Sequence, residues 1–346
     1  MDLILYIQRI LYPQKSFSRF VACAADAGGE QAFPNQKGEN FYLRKSDCIF
    51  MKSSAPLFRG TATALITPFQ KGNPELIDED AFRMLVRAQC LAGISALIVA
   101  GTTGEASALT AKEHIRLITL AKEESLGKIP VIAGCGAPTT ARAITLAKEA
   151  ADAGADAALV VTPYYNKCSQ EGLYRHYTSI ADAAACPVIL YEVPSRTGMH
   201  VALETYIRLS KHENICAVKD ATANLERVAL LRDAVGSDLT IYAGSDSVIV
   251  PMLSVGAAGV ISVLSNVCPH AVIAMCNAWF SGDSLYAAQL QCHYAPLIRA
   301  LFSEVNPIPV KTAMAALGMC ADEFRLPLCE MSEEDTKKLL RMIKDI

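Results

Sequence analysis

The chain has 346 residues, 52% hydrophobic and 19% charged, enough apolar material for one barrel-sized domain with appendages, which excludes a wholly disordered chain. Its net charge of −3, without a long basic run interleaved with aromatics, gives no general attraction to nucleic acid or an anionic membrane, so the expected ligand is small. Twelve cysteines without a C-x-x-C pair and six histidines without an H-E-x-x-H spacing suggest buried, reduced thiols in the cytoplasm and indicate no metal site.

The first residues are apolar but carry Asp2 and no early basic cluster, a poor fit to a secretory signal. The segment from Pro13 to Lys52 contains Gly, Asn and Lys without sustained periodicity. Residues 1–56 are therefore read as an N-terminal extension outside the core, with Met51 as an alternative start. No apolar run reaches the ~18 residues a membrane span needs.

From Arg59 onward, short apolar runs alternate with helical patterns. The expected strands are Thr61–Phe69, Ser95–Gly101, Pro130–Cys135, Ala157–Thr162, Val188–Val193, Ile215–Lys219, Leu239–Ala243 and Gly259–Val263. Helical stretches such as Asp80–Leu91, Ala111–Glu124 and Ala141–Ala153 separate them. Near-continuously apolar strands imply a parallel sheet covered by helices, and eight such units predict an α/β fold, a (β/α)8 TIM barrel over residues 57–282. A doubly wound sheet is the alternative, but no G-x-G-x-x-G follows the first strand. Helices near Ser284–Ser303, Pro309–Leu317 and Ser332–Lys344 would form a C-terminal helical domain over residues 283–346.

Lys219 ends the apolar run Ile215–Val218, where a barrel would bury it. Burial disfavours an ammonium, and a neutral amine is a nucleophile toward carbonyls, which points to Schiff-base chemistry. Alone, the same residue fits a strand-end lysine snorkelling to solvent or paired with Asp220. Barrel active sites, however, form at the C-terminal strand ends, and other unusual polar residues fall there too. Gly101-Thr102-Thr103-Gly104-Glu105 ends the second strand, with hydroxyls and approachable N–H groups suited to a small carboxylate. A helix-capping turn explains it equally well. Thr162–Asn166, containing Tyr164 and Tyr165, ends the fourth strand, and Tyr191–Gly198, containing Arg196, ends the fifth. Their tyrosines suit proton relay and Arg196 suits a carboxylate, although each taken singly is more often a packing or surface residue.

Together Thr102–Glu105, Tyr164-Tyr165, Tyr191–Gly198, Val218–Thr222 and Asn306–Lys311 resemble the dihydrodipicolinate synthase family of class I pyruvate aldolases, from about Leu57 to the C-terminus. The resemblance implies that Lys219 forms an imine with pyruvate, whose enamine attacks L-aspartate 4-semialdehyde, with no cofactor beyond the covalent imine. It implies a relay of Tyr191, Thr102 and Tyr165, the last supplied by a neighbouring subunit of a homodimer or homotetramer. Thr103 and the backbone at Ile261 would hold the pyruvate carboxylate, Arg196 the semialdehyde carboxylate, and Gly244 would stand on the matching seventh-strand turn. An effector cleft for lysine, as in many family members, would match Ser107, Leu109, His114, Pro138, Arg142 and Tyr164. In lysine-sensitive relatives the positions of Pro138 and Arg142 carry an amide and a carboxylate.

The chain departs from the family pattern at Glu192, where asparagine is common, and at Asp220 and Ala223, in place of glutamate and glycine. Glu192 either weakens semialdehyde binding or points away from the site. The competing functions are a lyase for sialate or a keto-deoxy sugar acid, a non-catalytic homologue, and a phosphosugar aldolase using Ala243–Ser247, where Asp246 would repel the phosphate. A purely structural protein leaves the clustered polar residues unexplained.

Overall fold

The computed structural model describes residues 31–34, 40–43 and 55–343. The chain divides into two compact units, Met1–Lys52 and Ser53–Ile346. In the first, Gln31–Pro34 pairs antiparallel with Asn40–Leu43, a strand pair that the absence of periodicity did not reveal. Any helix at Met1–Tyr12 lies outside the described residues.

In the second unit eight parallel strands close into a barrel: β1 (Gly60–Ala64), β2 (Ala96–Val99), β3 (Val131–Gly134), β4 (Ala157–Val161), β5 (Val188–Glu192), β6 (Ile215–Asp220), β7 (Thr240–Ala243) and β8 (Gly259–Ser262). Each pairs with its sequence neighbours, and β8 closes on β1. The expected first strand, Thr61–Phe69, splits. Only Gly60–Ala64 joins the barrel, while Phe69–Gln70 pairs antiparallel with Asn73–Ile77 in a separate hairpin. Pro68, which has no N–H to give a ladder, stands between the two parts.

Alternation along each strand sorts the core into two layers. Ala62, Ile98, Ile132, Leu159, Ile189 and Ala217 fill the barrel interior, whereas Leu97, Val131, Val160, Leu190 and Val218 pack under the helices. Tyr242 closes the interior at one level, stacked on Phe58 at 4.1 Å and donating its hydroxyl to the Phe58 carbonyl at 2.9 Å. Helices begin where Asp78, Thr110, Thr139, Ser169 and Asn224 accept the N–H three residues on, each cap worth about 1 kcal/mol. The C-terminal helices run over Ser284–Leu301, Ile308–Ala316 and Glu333–Ile343, within a residue or two of expectation.

No described helix is long and apolar enough to cross a membrane. The ten described cysteines are free thiols. Cys135 and Cys186 are buried as expected, but Cys216 is only partly so, and Cys292 and Cys329 are exposed.

Candidate active site

Strand parity carries the site. Ala217 points into the barrel, so Lys219 does too, one residue before the end of β6, where it is 6% exposed. Ile189 likewise places Tyr191 inward on β5, and the two are register partners. Lys219 Nζ lies 4.4 Å from the centre of the Tyr191 ring. The amine therefore faces the interior instead of snorkelling outward, and Asp220, of opposite parity, does not pair with it. Asp220 accepts from the Thr222 N–H and hydroxyl at 2.9 and 2.6 Å, and burial pushes its carboxyl up from the usual range.

The same parity decides Glu192. It points outward, away from the barrel mouth, with no exposed side-chain surface. There it accepts from His200 Nδ1 at 2.9 Å, Tyr206 OH at 2.6 Å, Arg227 Nη2 at 2.7 Å and the Val201 N–H at 3.3 Å. Its charge is matched behind the strand, not presented to a substrate. Asp246 is no surface loop residue either. It is 1% exposed, its Oδ2 accepts from the Val263 and Leu264 N–H groups at 2.9 Å each, and burial raises its carboxyl. The loop after β7 thus offers no open phosphate cradle at that side chain.

A cavity of about 430 Å³ opens at the C-terminal strand ends. Thr102, Tyr191 and Arg196 line one part of it, and the six effector-cleft candidates Ser107, Leu109, His114, Pro138, Arg142 and Tyr164 line the continuation. Thr103 stands just behind, 3% exposed, its hydroxyl accepting from Asn306 Nδ2 at 3.0 Å. Arg196 reaches the Asn306 carbonyl at 2.8 Å, so one backbone segment holds both carboxylate-binding candidates. His114 Nε2 donates to the Gly134 carbonyl at 2.7 Å, and burial pushes its pKa down.

Five sequence-predicted residues are not among those lining this cavity: Lys219, which lies against the lining Tyr191, Thr103 behind it, and Ile261, Gly244 and Tyr165. Ile261 lies inside β8, 1% exposed. Gly244 follows β7 and donates to the Asp220 carbonyl at 2.6 Å; a Cβ there would stand 2.8 Å from that oxygen, so only glycine fits. Tyr165 is 94% exposed with φ at 66°, its ring turned to solvent although Tyr164 beside it is only partly exposed. A tyrosine gains nothing intrinsic from the left-handed region.

Sequence reasoning did not give roles to Glu105 and Lys311. They form an ion pair at 2.7 Å with side chains 1% and 0% exposed, Lys311 lying between the Phe69 and Phe324 rings at 4.2 and 4.9 Å. Burial raises the Glu105 carboxyl and lowers the Lys311 ammonium, each opposing its charged form. Removing one partner from such a pair costs about 3–5 kcal/mol. Arg325 makes a second tie, donating to both oxygens of Glu113 at 2.6 and 3.0 Å and to the Ala108, Pro74 and Glu75 carbonyls. The signals were available, since both charges stand inside otherwise apolar or small-residue runs, but nothing in the spacing links them.

A lysine and a tyrosine stacked inside the mouth of a parallel barrel, beside a cavity with threonine hydroxyls and an arginine, define an aldolase of the Schiff-base class. The chain belongs to the Dihydrodipicolinate synthetase family, whose model matches residues 57–346. It is 45% identical over 289 residues to a 4-hydroxy-tetrahydrodipicolinate synthase of Geobacter sulfurreducens, covering 84% of this chain and 99% of that protein. Among solved structures it is similar to dihydrodipicolinate synthase from Aquifex aeolicus, at 42% identity and a TM-score of 0.80, covering 83% of this chain and 98% of that one. It is also similar to the chloride-inhibited enzyme from Acinetobacter baumannii complexed with pyruvate, at 40% identity, a TM-score of 0.80 and the same coverages.

Proposed function

We propose that the chain catalyses the condensation of pyruvate with L-aspartate 4-semialdehyde, the 4-hydroxy-tetrahydrodipicolinate synthase reaction of the diaminopimelate route to lysine. The observation that carries this reading is the inward Lys219 amine held over Tyr191 at the mouth of the barrel.

The amine attacks the keto carbon of pyruvate, and loss of water leaves an imine whose nitrogen takes up the electrons released when the methyl group loses a proton. The resulting enamine carbon attacks the aldehyde. The amino group of the second substrate then displaces Lys219 by transimination, closing the ring and freeing the enzyme. Every step moves a proton, a task suited to the hydroxyls of Tyr191 and Thr102 lining the cavity. Thr103 suits the pyruvate carboxylate and Arg196 the semialdehyde carboxylate, a guanidinium being a good partner for a planar anion. The covalent imine supplies the electron sink that a metal or organic cofactor gives other carbanion enzymes.

The relay is completed by Tyr165 of a second subunit in a homodimer or homotetramer, working in the cytoplasm. The outward, left-handed placement of Tyr165 supports this, since a ring 94% exposed in one chain is free to enter another. Incubation with pyruvate and borohydride, followed by intact mass and peptide mapping, tests the chemistry. The expected result is one reduced pyruvate adduct on the Lys219 peptide, absent from Lys219→Ala. A label on another lysine, or none in active enzyme, overturns the mechanism.

A further inference from the structure

The run Asn306-Pro307-Ile308-Pro309-Val310-Lys311 contributes no acid, base or nucleophile to the reaction above. It nevertheless meets the turn after β2 at two points. Asn306 Nδ2 donates to the Thr103 hydroxyl at 3.0 Å, and Lys311 Nζ donates to Glu105 Oε1 at 2.7 Å. The turn between these points is tight: the Glu105 N–H bonds the Thr102 carbonyl at 3.1 Å, and the Ala106 N–H bonds the Gly101 carbonyl at 3.2 Å.

Glu105 closes that turn with φ at 55° and ψ at 38°, a conformation L side chains rarely adopt unless their surroundings hold them. Its side chain is held chiefly by Lys311, with Arg325 close by on the same carboxylate. The ammonium has no exposed surface and is flanked by Phe69 and Phe324, so neither charge can exchange its partner for water. The Thr103 hydroxyl accepts from Asn306, so that bond leaves its own proton available to a ligand anion.

We propose that Lys311 is a positioning residue, whose buried ion pair with Glu105 holds the left-handed turn that presents the Thr102 and Thr103 hydroxyls to pyruvate. The C-terminal helix Ile308–Ala316 thereby sets the competence of a barrel site that Lys311 itself does not line. The inference rests on the reading of Thr102 and Thr103 as substrate-handling hydroxyls.

The test replaces the pair by neutral side chains of similar length, Glu105→Gln with Lys311→Met, so that no unpaired charge is buried. The expected result is a folded enzyme with kcat reduced about 10²-fold, as for a misplacement near 1 Å, a raised KM for pyruvate, and an unchanged KM for the semialdehyde. Glu105→Gly with Lys311→Met should recover part of the lost kcat, because glycine enters the left-handed region without being held there. A purely structural pair predicts the reverse order, since glycine leaves a void. Wild-type kinetics in the folded Gln/Met variant overturn the proposal. If that variant does not fold, Lys311→Arg, which keeps the charge but displaces it, gives the same reading: the split in kinetics supports the proposal and unchanged kinetics overturn it. Thr102→Val and Thr103→Val are assayed alongside. If both are fully active, the reading of the hydroxyls fails and the proposal with it; if they are impaired while the Gln/Met variant is not, only the proposal fails.

Discussion

Lys219 and Tyr191 are register partners on adjacent strands, and the lysine Nζ lies 4.4 Å over the tyrosine ring. The ring and the hydroxyl therefore have separable tasks. Tyr191→Phe keeps the aromatic face that a cation favours but removes the group that moves protons. Its kcat should fall about 10²–10⁴-fold, while borohydride still traps pyruvate on Lys219 at saturating substrate. A variant that traps no adduct assigns the ring, not the hydroxyl, the larger part.

Tyr165 faces solvent in the single chain. If it serves a neighbour's site, the inactive variants Tyr165→Phe and Lys219→Ala should recover activity when mixed and allowed to exchange subunits, because one site of the mixed dimer then has both native residues. Subunit exchange proven by mass spectrometry without recovery places Tyr165 in cis or outside the relay.

Glu192 is matched on the outer face of β5 by Arg227, Tyr206 and His200. Glu192→Ala should lower stability, because it removes the acceptor of the buried Tyr206 hydroxyl and the anion of the partly buried Arg227. The KM for the semialdehyde of the folded fraction should stay at its wild-type value. A marked fall in that KM is the result that returns Glu192 to the substrate-binding end.

Arg142 lines the cleft beside Tyr164 and His114, with Pro138 alongside. A guanidinium opposes the ammonium groups of lysine, and Pro138 has no side-chain hydrogen-bonding group, so one repulsive element removes the effector's specificity. Lysine at physiological concentrations should inhibit weakly or not at all, and Arg142→Glu with Pro138→Asn should restore part of the sensitivity. Strong, saturable inhibition of the native enzyme sinks the charge argument.

Burial lowers His176 from the ordinary value of 6.5 to about 4. The unfolded chain therefore binds the proton first as pH falls, and the folded state loses stability between about pH 6.5 and 4, by up to ~3 kcal/mol from this group. The melting temperature of the native protein should approach that of His176→Phe across this window and run parallel to it above pH 7.

Much of this was written in the residues. Alternation of apolar runs with helical patterns is enough for a (β/α)8 barrel, because a parallel strand buried on both faces must be apolar throughout and must be followed by a crossover. The same period of two, counted from an inward Lys219 or Tyr191, already sends Asp220 and Glu192 outward, so the question over Glu192 had its answer in strand parity. Motif order likewise placed Thr102, Arg196 and the cleft residues at one end, where the cavity is found. Other features depended on approach between segments distant in sequence. Glu105 and Lys311 stand 206 residues apart, and Asn306 and Thr103 203 apart, and no local propensity or period encodes such meetings. The split of the first expected strand into barrel and hairpin was decided by pairing partners, since β propensity says that a segment will pair but not with what. A buried charge announces that it needs a partner, but only the packed fold brings that partner within 2.7 Å.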